Sequence, residues 1–325
     1  MNQPHIPLID LNSWRTGDNE SRAAVAAEVD RALTESGFLL LADHGVAAHL
    51  GASLREAAKR FFSLPTQIKA QYETTVGGRG WLPSGREANS FDGEDADADK
   101  PDMKESYTIG RNHLTGDPAI DEYWFRANVW PTEVPELEAQ ANRYMDQMYG
   151  VYDELLRICG AALGLGTDWF IERCANGTRT LNINRYPSME ETGAPKDGQF
   201  RVGPPHTDWS IFTLLDRQVG YGGFQVESHG QWFDAPFVEG ALVINIGDLM
   251  ARWTGDRWRS TRHRVLPPPQ DQAPKEELIS LIQFCDANVD AVIKPMPAPI
   301  GKNTNLAPIE AGEYLRRRAL AATVS

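Results

Sequence analysis

"GPPHTDWSIFTLLDRQVGYGGFQVESHGQWFDAP", residues 203–236, breaks into short apolar runs, "SIFTLL", "GGFQVES" and "QWFDAP", parted by glycine, proline and aspartate. The same punctuation continues in "TLNINRYP" (180–187), "ALVINIGD" (241–248), "HRVLPPP" (263–269), "LISLIQFCD" (278–286) and "AVIKPM" (291–296). Strands of this length at this spacing predict an antiparallel sandwich or barrel rather than a parallel sheet with crossover helices.

Upstream the period changes. "IPLIDL" (6–11) reads as a short strand, and "SRAAVAAEVDRALTESG" (21–37) sets Val25, Val29, Ala32 and Leu33 on one helical face, ended by Gly37. "FLLLADHGV" (38–46) is a buried strand running into a turn, and "HLGASLREAAKRFFSLP" (49–65) is an amphipathic helix closed by Pro65. In "PELEAQANRYMDQMYGVYDELLRICGAALGL" (135–165), Met145, Met148, Tyr152, Leu155, Leu156, Cys159 and Leu163 form a stripe fit for a core. A charged helix, "IEAGEYLRRRALAA", closes the chain. Between about 74 and 120 the pattern is irregular and includes an acidic tract, "FDGEDADADKPD" (91–102), expected to be a solvated loop, with a mobile lid as its functional alternative. No linker is visible. The expectation is one fold over 1–325, mainly helical over 1–178, with a β core over 179–300.

Lys plus Arg total 32 against 45 Asp plus Glu in 325 residues, a formal net charge of -13, which repels nucleic acid and anionic membranes and favours a small-molecule partner. "MNQPHIPLID" has no basic stretch leading into an apolar one, and no later window is apolar enough to span a bilayer. Cys159, Cys174 and Cys285 are odd in number and widely spaced, so they are expected to be structural thiols in a reducing cytoplasm. The sequence leaves the oligomeric state open.

Residues two apart in an extended segment share a face, so His206 and Asp208 converge on one point at a barrel mouth while Thr207 turns away. "RWRSTRHRV" offers a third ligand, His263, at the head of another strand. Two imidazoles and a carboxylate on one face suit Fe(II), with positions open for oxygen and substrate. Zinc with a bound water, and hydrolysis, is the alternative for the same donors.

Longer motifs surround these residues. "IPLIDL", "GFLLLADHGV", "FFSLP", "RGWLPSGRE" (79–87) and "DMKESYTIG" (102–110) precede "NRYP", "PPHTD", "TLL", "GGFQV", the run "GALVINIGDLMARWTGDRWRSTRHRV" (240–265) and "DAVI" (290–293). Together they resemble, nearly end to end, the iron-dependent dioxygenases related to isopenicillin N synthase. The resemblance implies an α+β fold with a mainly β core, a distorted double-stranded β-helix (jelly roll) buttressed by helices. It also implies that His206, Asp208 and His263 are the iron ligands and that Asn184 and Tyr186 help hold the cosubstrate. The family's R-x-S element maps its serine to Ser280 but its arginine to Leu278, which cannot bind the distal carboxylate of 2-oxoglutarate. Lys275 lies in a polar loop, while Arg185 and Arg264 face away from their neighbouring site residues in strand geometry. Arg79 and Arg86 are candidates for a substrate carboxylate.

The expected function is a mononuclear non-haem Fe(II) oxygenase that hydroxylates, desaturates or cyclises a small organic molecule with 2-oxoglutarate and O2. A 2-oxoglutarate-independent oxidase resembling isopenicillin N synthase is the alternative that takes Leu278 at face value. A non-catalytic small-molecule binding protein on the same fold is the other, although a receptor has no need of open metal positions.

Overall fold

The computed structural model describes residues 3–88, 99–269 and 271–323. The strands of its two larger sheets, in chain order, are β1 (Leu8–Asp10), β2 (Phe38–Ala42), β3 (Gly80–Leu82), β4 (Glu105–Ile109), β5 (Gly177–Tyr186), β6 (Val202–His206), β7 (Phe212–Asp216), β8 (Phe224–Ser228), β9 (Gln231–Asp234), β10 (Leu242–Ile246), β11 (His263–Val265) and β12 (Leu278–Asn288), beside a two-stranded pair of Val292–Ile293 with Ile309–Glu310. They form an eight-stranded sheet in the order β1-β2-β10-β7-β12-β5-β4-β3 and a four-stranded sheet in the order β6-β11-β8-β9. Apart from the parallel pair β1 and β2, the pairings in these sheets are antiparallel, as the strand spacing predicts for this jelly-roll fold.

Side-chain parity in the large sheet divides core from cavity. Leu242, Ile244 and Ile246 of β10, Phe212 and Leu214 of β7, Leu181 and Ile183 of β5, and Ile279 and Leu281 of β12 join the main apolar core. The alternate residues Asn245, Thr213, Leu215, Asn182, Asn184, Tyr186, Leu278, Ser280 and Ile282 line an interior cavity. The helices that cover the outer face carry the expected stripes. Asn19–Glu35, capped by Asp18 accepting the Ser21 N–H at 2.9 Å, buries Val29, Ala32 and Leu33; Glu136–Ala162 buries Met145, Met148, Tyr152, Leu155, Leu156 and Cys159. All three cysteines are buried and unbridged.

Two features depart from the sequence reading. β4 lies within the stretch read as irregular, fully buried between β3 and β5. Its first residue, Glu105, is charged, and burial is tolerated because Lys69 (2.7 Å), Arg185 (2.8 Å) and the Trp81 indole N–H (2.7 Å) all converge on its carboxylate. Most of the acidic tract, residues 91–98, lies outside the described residues, and with it the solvated-loop and lid readings. At the tract's end Asp102 is buried and accepts the Gly203 N–H at 3.1 Å.

Candidate active site

β6 ends on His206 and β11 begins on His263, and the two residues are direct partners in the ladder, with ring centroids 4.4 Å apart. Asp208 follows as the chain leaves β6, its Oδ1 3.5 Å from His263 Nε2 and 4.0 Å from His206 Nε2. One ligand atom from each of these three buried residues lies within 4.8 Å of the others. The remaining polar atoms are already committed. Asp208 Oδ2 accepts hydrogen bonds from Thr213 Oγ1 (2.6 Å) and Asn245 Nδ2 (2.7 Å), which leaves Oδ1 facing the imidazoles. His206 Nδ1 lies 3.2 Å from the Pro204 carbonyl and His263 Nδ1 3.1 Å from that of Thr261; each contact assigns the proton to Nδ1 and frees Nε2 as a donor to a metal.

Burial, with His263 adding to it, pushes the His206 imidazole down to about 3, so it is neutral at neutral pH. Burial opposes ionisation of Asp208, but the charge and hydrogen bond of His263, followed by His206, hold its carboxyl well below the usual carboxylate range. Burial also works against a charged His263, and there attraction to Asp208 prevails and raises its pKa. Imidazole nitrogens and a carboxylate oxygen held in this way fit a divalent cation that prefers mixed nitrogen and oxygen donors. Asp248 braces the arrangement: it accepts from Thr207 (3.1 Å), Ser260 (2.6 Å) and Tyr314 (2.7 Å), tying the segments that carry His206, Asp208 and His263 to the carboxy-terminal helix Ala311–Ala322.

Further along the cavity, Tyr186 stands opposite Leu278 and Asn184 opposite Ser280 in the β5–β12 ladder. Burial raises the Tyr186 phenol, with hydrogen bonding to Asn184 and Ser280 opposing the shift. Asn184 Oδ1 also accepts from Ser106 Oγ at 2.9 Å, so it braces β4 as well as facing the cavity. Leu278 is buried, as a leucine there should be, and supplies no cation.

Residues 6–133 match the family model for the N-terminal part of non-haem dioxygenases in morphine synthesis, and residues 178–286 match that of the 2OG-Fe(II) oxygenase superfamily. Validamycin A dioxygenase of Streptomyces hygroscopicus subsp. limoneus is 41% identical over 315 residues, covering 96% of this chain and 85% of that one. The chain belongs to the 2OG-Fe(II) oxygenase superfamily. A further relative, 2-oxoglutarate-dependent dioxygenase tropC of Talaromyces stipitatus, is 29% identical over 319 residues, with 92% and 93% covered. A full-length Neurospora crassa protein solved in complex with alpha-KG superposes with a TM-score of 0.82 at 29% identity, over 97% of this chain and 96% of that one. The protein is accordingly an oxidoreductase that uses Fe(II), not zinc, with 2-oxoglutarate as cosubstrate and a small molecule and O2 as reactants. Among the described residues, no helix of this oxygenase is long and apolar enough to cross a membrane.

The substrate arginines expected from sequence separate. Arg79 lines the cavity, donates to the Trp124 carbonyl at 3.1 Å, and is pushed down to about 10 by burial and then by Arg126. Arg86 stands outside the cavity lining, its side chain 53% exposed and paired with Glu73 at 3.7 Å; the turn after β3 carries it toward solvent. Lys275 is exposed beside Glu190, and Arg185 faces Glu105, Glu191 and Glu277, so neither supplies the missing clamp. Sequence reasoning missed Lys104, buried in the cavity wall against Glu87 and Asp102, and Arg217, which lines the cavity just past β7. Strand parity carried the signal for Arg217, since it follows Thr213 and Leu215 at the same spacing of two.

Asn182 and Asp286 also line the oxygenase cavity, and each has a buried Oδ1 with no hydrogen-bond partner among the described residues. Thr178 donates to the other Asp286 oxygen at 2.5 Å, but burial prevails and raises the carboxyl from 3.8 to about 7. Between those values the folded protein binds a proton that the unfolded chain does not, so stability falls as pH rises. Over the upper part of that window, from about pH 5.5 to 7, the Asp286 contribution amounts to about 2 kcal/mol. Chemical denaturation across this range should show that slope in the wild type and its loss in Asp286→Asn; equal slopes would mean that Asp286 is ionised throughout.

Proposed function

We propose that His206, Asp208 and His263 hold the Fe(II), that Tyr186 and Ser280 receive the distal end of 2-oxoglutarate, and that a C–H bond of a polar small molecule is hydroxylated beside them. The observation that carries this reading is the convergence of three buried ligand atoms within 4.8 Å at the wall of a cavity that also contains both hydroxyls. When bound, Fe(II) and 2-oxoglutarate supply a two-electron oxidation driven by O2 with release of succinate and CO2. The chain's own residues do the positioning. Thr213 and Asn245 fix the Asp208 carboxylate, the Pro204 and Thr261 carbonyls fix the histidine rings, and the apolar Phe38 and Phe224, both edge-on to His263, exclude water from that side.

On the substrate side, the unpaired oxygen of Asn182 calls for a hydrogen-bond donor and the unpaired Oδ1 of Asp286, protonated or ionised, for a polar partner, while Trp124 and Trp209 line the same cavity. This supports a small molecule bearing hydroxyl or amino groups. Validamycin A, named for the 41% identical relative, is the first compound to test. The test is succinate formation by anaerobically iron-loaded protein on admission of air, with validamycin A and a panel of polar small molecules. Succinate and oxidised product should appear together and vanish with a chelator. Iron-replete protein that converts 2-oxoglutarate with none of the panel would remove the substrate assignment, and product formed without 2-oxoglutarate would remove the mechanism.

A further inference from the structure

A dicarboxylate cosubstrate brings a second negative charge into the cavity, and a buried carboxylate without a cation is strongly disfavoured. Leu278 provides none. Three cations stand near Tyr186, and two are already matched. Lys104 is held between Glu87 and Asp102, the latter at 3.9 Å. Arg201, whose guanidinium lies 5.7 Å from the Tyr186 ring centroid, pairs with Glu276 at 3.0 Å.

Arg217 differs from both. Among the described residues it makes no ion pair; its Nη1 donates at long range to two neutral carbonyls, Ala235 at 3.4 Å and Pro236 at 3.2 Å, and its guanidinium lies 5.6 Å from the Phe224 ring and 5.4 Å from the Phe237 ring. Burial lowers its pKa, and attraction to Tyr186 and Asp234 does not offset that cost. A desolvated cation without an anion is one awaiting a ligand. Its position suits the task. β7 pairs with β12 through Asp216 opposite Leu281, and continuing that register by one residue brings Arg217 beside Ser280. The loop that follows packs against the vacated arginine position: a Cβ on Gly220 would meet Leu278 Cδ2 at 2.8 Å, and one on Gly222 would meet Arg217 Nη2 at 2.9 Å. Both glycines keep space that a side chain would fill.

We infer that Arg217 is the cation that binds the distal carboxylate of 2-oxoglutarate in this chain, so that the clamp has moved from β12 to the end of β7. The inference rests on the proposal that the cosubstrate lies between Tyr186 and Ser280. A guanidinium arriving from the neighbouring strand can still present two N–H groups to one carboxylate, with the two hydroxyls completing its shell.

Calorimetric titration of the anaerobic Fe(II)-loaded full chain tests it, using 2-oxoglutarate and 2-oxopentanoate, which has the same carbon chain without the distal carboxylate. Wild type should prefer 2-oxoglutarate. Arg217→Leu should weaken 2-oxoglutarate binding by about 30-fold or more while leaving 2-oxopentanoate and iron binding unchanged. Adding Leu278→Arg to that variant should restore most of the lost affinity. Arg217→Gln, which can keep the contacts to the two carbonyls, gives the same readout if the leucine variant does not fold. An undiminished preference in either neutral variant overturns the inference, as does loss of the preference in Arg201→Gln alone. Absence of 2-oxoglutarate binding in the wild type would instead defeat the underlying cosubstrate assignment.

Discussion

Replacing His263 by alanine is expected to lower Fe(II) affinity by more than about 100-fold and to bring 2-oxoglutarate consumption to background. Residues that only orient a metal ligand typically contribute 10- to 100-fold, so removal of a donor should exceed about that range. The imidazole has no substitute nearby, since the described residues contain one cluster of this kind, His206, Asp208 and His263. The ring is also packed edge-on against Phe38 (5.6 Å) and Phe224 (5.7 Å), so its loss opens a hole that water can enter. Iron content after anaerobic loading and gel filtration, read beside circular dichroism, separates lost ligation from lost folding. A folded variant that retains stoichiometric iron and turns over would show that the third donor lies elsewhere.

The largest effect on stability is expected at Lys104. Its Nζ is buried against Glu87, Asp102 at 3.9 Å and Ser106 at 3.2 Å, and Asp102 in turn holds the main chain of Gly203 ahead of His206. Lys104→Met keeps the aliphatic bulk but leaves the largely buried Glu87 carboxylate without its lysine, which should cost about 3–5 kcal/mol. Burial by itself would lower the lysine pKa, yet Glu87 and Asp102 raise it above its ordinary 10.5. The sign follows: the stabilisation is complete below 10.5 and disappears as pH climbs through the folded pKa, so the gap between variant and wild type should be constant at neutral pH and close in strong alkali. Urea denaturation of both proteins measures it. A variant as stable as the wild type would mean that the cluster only orients the Gly203 segment.

How much was legible in the chain depended on whether the partner of each residue was local. Helical stripes and alternating strands depend on neighbours a few positions apart, and there the reading agrees with the structure in the helices that carry Val29 and Cys159 and in the strands that carry Leu181 and Ile282. The convergence of His206, Asp208 and His263 was legible because the first two share a face through local geometry and the third heads a recognisable strand. β4 was obscured because Glu105 looks like a surface residue until Lys69, Trp81 and Arg185, from three other parts of the chain, meet on it. The placement of Arg86 outside the cavity lining was hidden for the converse reason: nothing in its neighbours reveals which way the turn after β3 projects.

The sequence by itself determined the class of the fold, the three candidate metal donors and the absence of an arginine at position 278, since periodicity and residue chemistry are carried along the chain. Only the tertiary structure decided which cations are free. Charge balance in a buried cavity depends on distances between segments far apart in sequence, and these pair Lys104 with Glu87 and Arg201 with Glu276 while leaving Arg217 without a carboxylate among the described residues.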